Sequence, residues 1–587
     1  MNIFYRNKVF YDFLKLVEDR KILPLILKYY TKKHVAKYAI RISSKISRKQ
    51  TNKKIDLLLI NPPQRYFLFS GRNFSETYIP NEEPLGLFSI ASFLAKRGVC
   101  CQVVDWNVSD TSLSCVDLLI KQTKPRIVGI SAITRQTEKA YIIGRHIKQS
   151  HPSVAVVYGG VHPTLFPKEP FAKGCADYVV CGEGEETLYE LWQNLDADKK
   201  GIAGLCYKHN GRVIINPPRK HLKPNLMPIC KHKRMYNTNI HVRELAKKRT
   251  FPIMTSRGCV YNCSYCAIPS IWKRTFRQRT VESVISEIKS ATAMGFECAH
   301  FYDDDFLLRP SFVEHLCRKL ISENIRLRWL CQASSRNVVK NRRLLPLMKK
   351  AGCDVVEIGV ESADKNVLKK ICKLQTKTDI SKALNLLKKN DIEPILLMMA
   401  FNMGETLDSV YKTARFLEKI GAWSTDMLKD HRKYFNRFSP PECNSTPYYH
   451  GFFATPIPGS RFYEIARKEG MVFCSSPNEY YFGLINFVPN EFLTDTPRKA
   501  VILNKRGFTA FLKPFHSVLE YERLIINSMR YLNESYISRG TMTESLWRLY
   551  EQSDGKLKVL ELAKDDLQTS CFLLRILATV GLIRGRK

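Results

Sequence analysis

Three cysteines in one short stretch place the strongest constraint on this chain. Cys259, Cys263 and Cys266 have the spacing C-x₃-C-x₂-C and directly follow the apolar run from Phe251 to Met254. With 18 cysteines among 587 residues, chance would produce this spacing about 0.02 times in such a chain. A structural zinc site is closed by four ligands, whereas three neighbouring thiolates suit an iron–sulfur cluster that keeps one iron open. The spacing therefore predicts a cluster-binding loop.

A zinc site is the alternative interpretation of the same three cysteines. It would need a fourth ligand from a distant histidine, such as His241 or His300. The remaining cysteines have no ligand spacing, and outside a secretory context we expect them to be reduced and buried as small apolar residues.

Length and charge limit the class of protein. The length allows about three or four domains, and a hydrophobic content of 44% supplies sizeable cores. The formal net charge of +38 is typical of proteins that bind nucleic acid or an anionic membrane surface. No signal-peptide cleavage pattern is present, and no apolar run approaches the ~20 residues that span a bilayer. We expect a globular, multidomain, cytoplasmic protein.

Residues 1–54 form a basic amphipathic extension. They hold 15 Lys and Arg against 3 Asp and Glu, with apolar residues at roughly helical spacing. This pattern fits peripheral contact with an anionic membrane, but we favour a helical extension that packs on the body of the protein.

Residues 55–195 alternate between short buried-type strands and amphipathic helices. This alternation predicts a doubly wound, Rossmann-like parallel sheet, whose ligands bind beyond the carboxyl ends of the strands. The predicted strands are Ile55–Ile60, Val99–Asp105, Arg126–Ser131, Val154–Tyr158 and Tyr178–Val180. Residues 196–248 read as a connector that contains a hairpin around Asn210-Gly211.

A second alternation over residues 249–470 predicts a partial (β/α) TIM-type barrel. The cysteine loop follows its first strand, and further strands are expected at Cys298–Tyr302, Leu327–Gln332, Val355–Val360 and Pro394–Ala400. Chemistry collects at the carboxyl ends of such strands. Residues 423–450 read as a long loop near the barrel mouth that contributes to substrate recognition. Residues 471–587 are mainly helical by period, as a cap over the barrel or as a winged-helix-like module.

The cysteine loop, with aromatic Tyr265 before its last cysteine, resembles the signature loop of radical S-adenosylmethionine (SAM) enzymes. The resemblance implies a 4Fe-4S cluster on Cys259, Cys263 and Cys266, with SAM bound at the open iron. It also implies a set of SAM-binding residues at the later strand ends, namely Tyr265, Asp303, Asp304, Arg336, Glu361 and Ser362. The segment Ala400 to Thr406 keeps the G-E-T ending of the family's G-x-P-G-E-T turn but lacks its first Gly and its Pro.

The first sheet resembles the cobalamin-binding domain that precedes the barrel in one large radical SAM subfamily. The resemblance rests on Gly159 to Thr164 and on Gly182 to Thr187. The residues that it implies for cobalamin are Asn107, Ser131, Thr134, Gly159, Gly160 and Glu183. The chain has Asn107 where many cobalamin proteins place a histidine on cobalt, so the resemblance implies binding without that ligand. A sheet that binds no cofactor is the alternative.

Together these resemblances imply a cobalamin-dependent radical SAM enzyme. A C-methyltransferase acting on an unactivated carbon of a natural product, peptide or lipid is our first interpretation. A radical SAM oxidoreductase or cyclase that uses cobalamin without methyl transfer is the second. The family also implies an electron donor of the flavodoxin or ferredoxin type. An RNA-modifying or RNA-binding protein is the candidate from another class, and we rank nucleic acid behind the other partners because the extra modules of tRNA-modifying relatives are missing.

Overall fold

The computed structural model describes residues 54–63, 66–70, 73–77, 84–106, 113–228, 243–245, 248–400, 402–405, 407–420, 448–454 and 456–468. The chain divides into a first compact unit, residues 1–55 with 110–125, and a second unit that holds all other residues. The basic extension before Lys54, Asn107 and the region 471–587 lie outside the described residues. The first unit contains the helix Leu113–Thr123, and both large sheets belong to the second unit.

The first sheet confirms the predicted doubly wound architecture. Its strands are β1 (Leu57–Asn61), β4 (Cys101–Asp105), β5 (Ile127–Ser131), β6 (Ala155–Gly159), β7 (Tyr178–Val180), β8 (Leu205–His209) and β9 (Arg212–Ile215). The strands β2 (Tyr66–Ser70) and β3 (Asn73–Thr77) form a separate hairpin. The order is β4-β1-β5-β6-β7-β8-β9. In this order the five strands from β4 to β7 are parallel, β8 is antiparallel to β7, and β9 is antiparallel to β8. All five residues of β1 are buried, as expected for a parallel strand covered on both faces.

Helices lie between these strands in the chain, and α1 and α6 supply part of the core. They are α1 (Leu85–Ala95), α2 (Leu113–Thr123), α3 (Thr137–Ser150), α4 (Val161–Leu165), α5 (Glu169–Ala172) and α6 (Gly184–Gln193). Phe93 of α1 and Leu191 of α6 pack with Leu57 and Leu59 of β1 in one buried cluster. Asn210 and Gly211, with φ of 48° and 75°, form the tight turn of the β8–β9 hairpin. This hairpin lies in the segment 196–248, predicted as a connector, and it extends the first sheet.

The second sheet carries six parallel strands in chain order, the predicted partial barrel. Its strands are β10 (Arg243–Leu245), β11 (Lys248–Ile253), β14 (Cys298–Phe301), β15 (Arg328–Ala333), β16 (Cys353–Glu361), β17 (Glu393–Ala400) and β18 (Tyr448–Phe453), and β12 (Ser256–Arg257) pairs with β13 (Arg277–Gln278) beside it. Strands β11 and β14 to β18 are parallel. Residues 448–450 were predicted as part of a long loop, but they begin β18.

Helices follow the strands of this second sheet. They are α7 (Ile268–Trp272), α8 (Val281–Thr292), α9 (Pro310–Ser322), α10 (Ser335–Lys340), α11 (Leu345–Lys350), α12 (Lys365–Lys370), α13 (Lys377–Lys389), α14 (Leu407–Lys419) and α15 (Arg461–Lys468). Side-chain caps fix the start of α12 and α13: the Asp364 carboxylate accepts the N–H groups of Asn366 and Val367, and Thr376 forms a capping box with Asp379. None of the described helices is long and apolar enough to span a membrane.

Candidate functional site

The three-cysteine loop runs from β12 to α7 and is held by backbone hydrogen bonds. Gly258 has φ of +89°, and a Cβ there would lie 2.2 Å from the Thr275 carbonyl oxygen, so only glycine fits. The Cys266 N–H donates to the Cys263 carbonyl at 3.1 Å, and the Ser264 N–H donates to the Ile371 carbonyl at 2.9 Å. The loop conformation is therefore fixed by the chain itself.

The three thiols share one environment. Burial, followed by the charges of neighbouring acids and thiols, raises the pKa of Cys259 to about 11 and that of Cys266 to about 12, and burial also raises the pKa of Cys263. Cys263 and Cys266 border a cavity of about 410 Å³. Three soft sulfur ligands, two of them beside open space, fit an iron–sulfur cluster, whose iron replaces the thiol protons. Cys259, Cys263 and Cys266 would hold it.

The described residues do not form the four-ligand arrangement that a structural zinc site needs. In the part of the chain that the structure describes, no three Cys, His, Asp or Glu side chains stand in an arrangement suited to one metal ion. His300 lies in β14 with its ring centroid 3.9 Å from that of Tyr302. His241 lies outside the described residues.

Three acids at the end of β14 divide into two supports and one exposed group. The buried Asp303 carboxylate accepts the Thr255 hydroxyl at 2.7 Å and the Ser256 hydroxyl, and so fixes the chain that enters the cysteine loop. The Asp305 carboxylate accepts the Ser334 N–H at 3.1 Å. Asp304 is exposed by surface area, but the chain around its carboxylate still displaces part of its hydration. This desolvation, followed by the charges of Asp303 and Asp305, raises the pKa of Asp304 to about 6. Of the two predicted SAM residues here, only Asp304 has a side chain open to a ligand.

Glu361, Tyr265 and Lys373 form a buried triad at the end of β16. The Tyr265 hydroxyl donates to Glu361 Oε1 at 2.9 Å, and Lys373 Nζ lies 3.1 Å from Oε1 and 3.2 Å from the Tyr265 oxygen. Burial and the Glu361 charge raise the pKa of Tyr265, which keeps its hydroxyl a donor. Within the described residues these hydrogen bonds engage Oε1 only. The second carboxylate oxygen, Oε2, is thus available to a ligand.

The backbone around this triad is adapted to it. Glu361 has φ of +62°, an unusual conformation for a residue with a side chain. A Cβ on Gly359 would lie 2.6 Å from Lys373 Nζ and 2.7 Å from Glu361 Oε1, so glycine leaves the room that the pair occupies. Gln375 Nε2 donates to the carbonyls of Gly359 and Val360 at 3.0 and 2.9 Å. The G-x-E-S sequence at the end of β16, Gly359 to Ser362, is therefore built around one carboxylate.

The two other residues predicted for SAM are placed differently. Ser362 is fully buried, its hydroxyl lies 3.2 Å from that of Thr413, and it accepts the Asp364 N–H at 3.1 Å. Those contacts give Ser362 a supporting position behind Glu361. Arg336 lies exposed on α10, after the end of β15.

A second cavity, of about 360 Å³, lies beyond the carboxyl ends of β5 and β6. It is lined by four of the six residues predicted for cobalamin, namely Ser131, Gly159, Gly160 and Glu183. Gly160 has φ of +94° and a Cβ there would lie 2.9 Å from the Ala132 carbonyl oxygen. Gly86 and Gly182 also line the cavity, and a Cβ on either would meet only open space. Glycines at a strand-end cavity fit a bulky planar cofactor such as cobalamin.

Of the two other residues predicted for cobalamin, only Thr134 is described, and it does not line this cavity. Asn107 lies outside the described residues. The Thr134 hydroxyl lies 3.1 Å from His162 Nδ1, and Glu169 Oε2 lies 3.0 Å from His162 Nε2. Both ring nitrogens of buried His162 are thus engaged within the protein. His162 belongs to α4.

Glu183 is occupied by partners from the two-stranded β12–β13 sheet. Arg257 pairs with its Oε1, and Arg277 Nη1 lies 2.8 Å from its Oε2. Arg257 also donates to Glu185 Oε1 at 2.6 Å, an oxygen that accepts the Ser89 hydroxyl at 2.7 Å. Burial opposes ionisation of Glu185, but Arg257 lowers its pKa. Arg257 immediately precedes Gly258-Cys259, so this ionic network ties the cobalamin-side loop to the cysteine loop.

Sequence reasoning missed Lys373, Arg257 and Arg277 as members of the site. Arg257 was adjacent to a recognised motif, and that adjacency was the available signal. Lys373 stands among other lysines, and Arg277 follows a short helix without any motif. Their roles depend on partners far away in sequence.

Comparisons with known proteins agree with the assignment of the cysteine loop and the glycine-lined cavity. Residues 253–417 match the model of the radical SAM superfamily, and residues 78–192 match that of the B12 binding domain. An uncharacterized methyltransferase of Pyrococcus horikoshii is 29% identical over 411 residues, which cover 68% of this chain and 81% of the relative. The anaerobic magnesium-protoporphyrin IX monomethyl ester cyclase of Rubrivivax gelatinosus is 27% identical over 361 residues, 59% of this chain and 63% of the cyclase.

A solved structure shares the fold. The radical SAM methyltransferase TsrM of Kitasatospora setae, with cobalamin and a [4Fe-4S] cluster bound, aligns with a TM-score of 0.59 at 17% identity, over 90% of this chain and 98% of that one. Both family models match in the same order as in the predicted domains, B12-binding first. The chain therefore carries a B12 binding domain followed by a radical SAM domain, which makes it an enzyme with a 4Fe-4S cluster, SAM and cobalamin as its cofactors.

Proposed function

We propose that this enzyme is a C-methyltransferase that acts on an unactivated carbon. One observation carries the proposal: residues of the second sheet's domain, including Ser256, Arg257 and Trp272, line the same 360 Å³ cavity as the glycines beyond β5 and β6. Methyl transfer to a substrate radical needs the methyl carrier and the radical source side by side. The cavity for cobalamin and the loop for the cluster share Arg257, which supports that arrangement.

The cofactors supply hydrogen abstraction and a transferable methyl group, and the chain's residues position them. Cys259, Cys263 and Cys266 would hold the cluster. Glu361, through its Oε2, would accept hydrogen bonds from hydroxyl groups of SAM, and Asp304 would accept hydrogen bonds from its ammonium group. Their work is orientation, because a radical reaction is directed by which C–H bond stands near the reacting carbon.

The glycine-lined cavity would receive cobalamin, and His162 would not serve as its ligand. Both nitrogens of His162 are hydrogen bonded, and using one for cobalt would leave Thr134 or Glu169 with an unsatisfied group. We propose that Ser131, Gly159 and Gly160 contact the corrin. Glu183 acts instead through Arg257, as a positioning residue.

Anaerobic reconstitution with iron, sulfide and hydroxocobalamin, followed by incubation with SAM labelled in its methyl group, tests the proposal. We expect cluster and cobalamin absorbance, 5′-deoxyadenosine formation and transfer of label to cobalamin. Cys263→Ala should lose the cluster and SAM cleavage. Cys372→Ala is the matched control, because this thiol lies near Cys263 but outside the proposed ligand set. A full cluster in Cys263→Ala would refute the ligand assignment.

A cyclase or oxidoreductase is the second candidate, favoured by the similarity to the magnesium-protoporphyrin ester cyclase. In that case cobalamin binds and SAM is cleaved, but no methyl label reaches cobalamin or product. The same labelling experiment therefore separates the two functions. A natural product, a peptide or a lipid is the substrate class we propose. The reductant that every radical SAM enzyme needs is, we propose, of the flavodoxin or ferredoxin type.

A further inference from the structure

A surface rich in lysine stands beside the cluster loop. Residues 365–378 contain five lysines and no acidic residue. Four of the lysines are exposed, and Leu374 between them is 60% exposed. We call this surface the lysine face, made of Lys365, Lys369, Lys370, Leu374 and Lys377. It combines positive charge with one apolar contact, the composition of a docking site for an acidic protein.

The acidic residues that border this segment accept hydrogen bonds from the protein's own backbone and side chains. Asp364 Oδ1 accepts two backbone N–H groups at the start of α12, at 2.8 and 3.1 Å. Asp379 Oδ2 accepts the Thr376 N–H and hydroxyl, each at 2.8 Å. The fifth lysine, Lys373, turns inward to Glu361. The segment therefore presents lysines and Leu374 to solvent, while its bordering carboxylates serve as helix caps.

The lysine face joins the cluster loop directly. The Ile371 carbonyl accepts the N–H of Ser264, which lies between Cys263 and Cys266. Cys372 is close enough to Cys263 for the charges of the two thiols to interact. A backbone hydrogen bond thus links the segment that carries the lysine face to the segment that carries the proposed cluster ligands.

We infer that the lysine face docks an acidic one-electron carrier protein with a flavin or an iron–sulfur centre. The inference rests on the proposed cluster function. In the step itself, one electron leaves the reduced carrier and enters the cluster, so the carrier is oxidised by one electron, the cluster is reduced by one, and no bond forms or breaks. Complementary charge raises the encounter rate of such transient pairs, and salt weakens it.

The test compares a protein reductant with a small one in the double variant Lys365→Glu/Lys377→Glu. Both positions are the first residues of helices, where a carboxylate is favoured by the helix dipole, so the fold should be retained. With dithionite, which needs no docking surface, 5′-deoxyadenosine formation should equal that of the parent enzyme. With reduced flavodoxin at low ionic strength, the apparent KM for flavodoxin should rise about tenfold or more.

Two further variants keep the test specific. Lys208→Glu/Arg212→Glu makes the same charge change at exposed positions of the β8–β9 hairpin and should behave like the parent. Lys273→Glu/Arg274→Glu alters a rival exposed basic site near Val260, because Arg274 Nε lies 3.4 Å from the Val260 carbonyl oxygen. A flavodoxin defect in this rival variant, with none in Lys365→Glu/Lys377→Glu, would overturn the inference.

The remaining outcomes are also decisive. Unchanged flavodoxin kinetics together with weaker retention on bulk tRNA would assign the face to nucleic acid and overturn the inference. Loss of the dithionite-driven reaction in Lys365→Glu/Lys377→Glu would also count against docking. Absence of that reaction in the parent enzyme would instead refute the proposed function, so the two failures are distinguishable.

Discussion

Buried charges hold the cysteine loop on two sides, and the two groups differ in what they leave open. Before the loop, Arg257 binds Glu183 and Glu185, side chains that are only 12%, 6% and 4% exposed. After its second cysteine, Tyr265 binds Glu361 together with Lys373. The first group joins the cobalamin-side domain to the SAM-side domain. The second stays within the SAM-side domain.

The difference indicates separate roles for the two groups. Both oxygens of Glu183 have partners, because Arg277 binds Oε1 and Oε2 and the Leu222 N–H donates to Oε2 at 2.6 Å. In Glu361 the described hydrogen bonds use Oε1 alone. A closed network is suited to fixing geometry, whereas a carboxylate with one free oxygen is suited to binding a ligand. We expect the first group to govern stability and cobalamin retention, and the second to govern SAM affinity.

Arg257→Met should have the largest effect on stability. It leaves Glu185 buried without a cation, and losing one partner of a buried pair costs about 3–5 kcal/mol. Chemical unfolding of the purified enzyme should show this loss, with reduced cobalamin retention on gel filtration. Arg274→Met, at an exposed arginine, is the control and should change stability by less than about 0.5 kcal/mol. Equal stabilities of the two variants would remove the distinction between the two groups.

Lys373→Met should weaken SAM binding and leave cobalamin retention unchanged. It removes the cation beside Glu361, so the carboxylate keeps only the Tyr265 hydroxyl and can turn away from SAM. We expect the dissociation constant for SAM to rise about tenfold, which corresponds to about 1.4 kcal/mol. The change in the cluster's electron paramagnetic resonance spectrum on SAM addition measures SAM binding independently of turnover. Lys373→Arg should restore part of the affinity, and Lys377→Met is the matched control. A cobalamin defect without a SAM defect would contradict the assignment.

Local patterns in the sequence were sufficient to predict the architecture. Buried strands such as β1 and β5 are runs of branched apolar residues, and helix starts such as Thr376 carry capping signals that are local by nature. The three-cysteine spacing and the G-x-E-S strand end are equally local. The order of both domains follows from these patterns.

Features that depend on distant partners could not be predicted in this way. Glu183 was expected to contact cobalamin, and its pairing with Arg257 and Arg277 arises only when β12 and β13 meet the loop before α6. Strand β18 was missed because Tyr448 to Phe453 contains Gly451 and has no apolar alternation. It becomes a strand because β17 offers a parallel edge for it to pair with.

Gly359→Ala should produce a smaller loss of SAM affinity than Lys373→Met. The added Cβ would stand 2.6 Å from Lys373 Nζ and 2.7 Å from Glu361 Oε1. The lysine end is flexible, so it should move aside at a cost of about 1 kcal/mol. Equilibrium binding of SAM should therefore weaken about fivefold. Gly201→Ala, where a Cβ meets nothing within 4 Å, should bind SAM as the parent does. Equal affinities in both variants would show that the Glu361–Lys373 geometry does not control SAM.

Tyr265→Phe should have the smallest effect and should define how far the second group depends on its cation. The change removes one hydrogen bond of 2.9 Å to Glu361 and leaves the Lys373 contact at 3.1 Å. Since Lys373 still holds the carboxylate, the loss should be about 0.5–1.5 kcal/mol, and SAM affinity should fall about threefold. Combining it with Lys373→Met should cost more than the sum of the single changes, because the Glu361 carboxylate would then have no described partner. Strict additivity in SAM binding would mean that Tyr265 and Lys373 act on SAM separately rather than through Glu361.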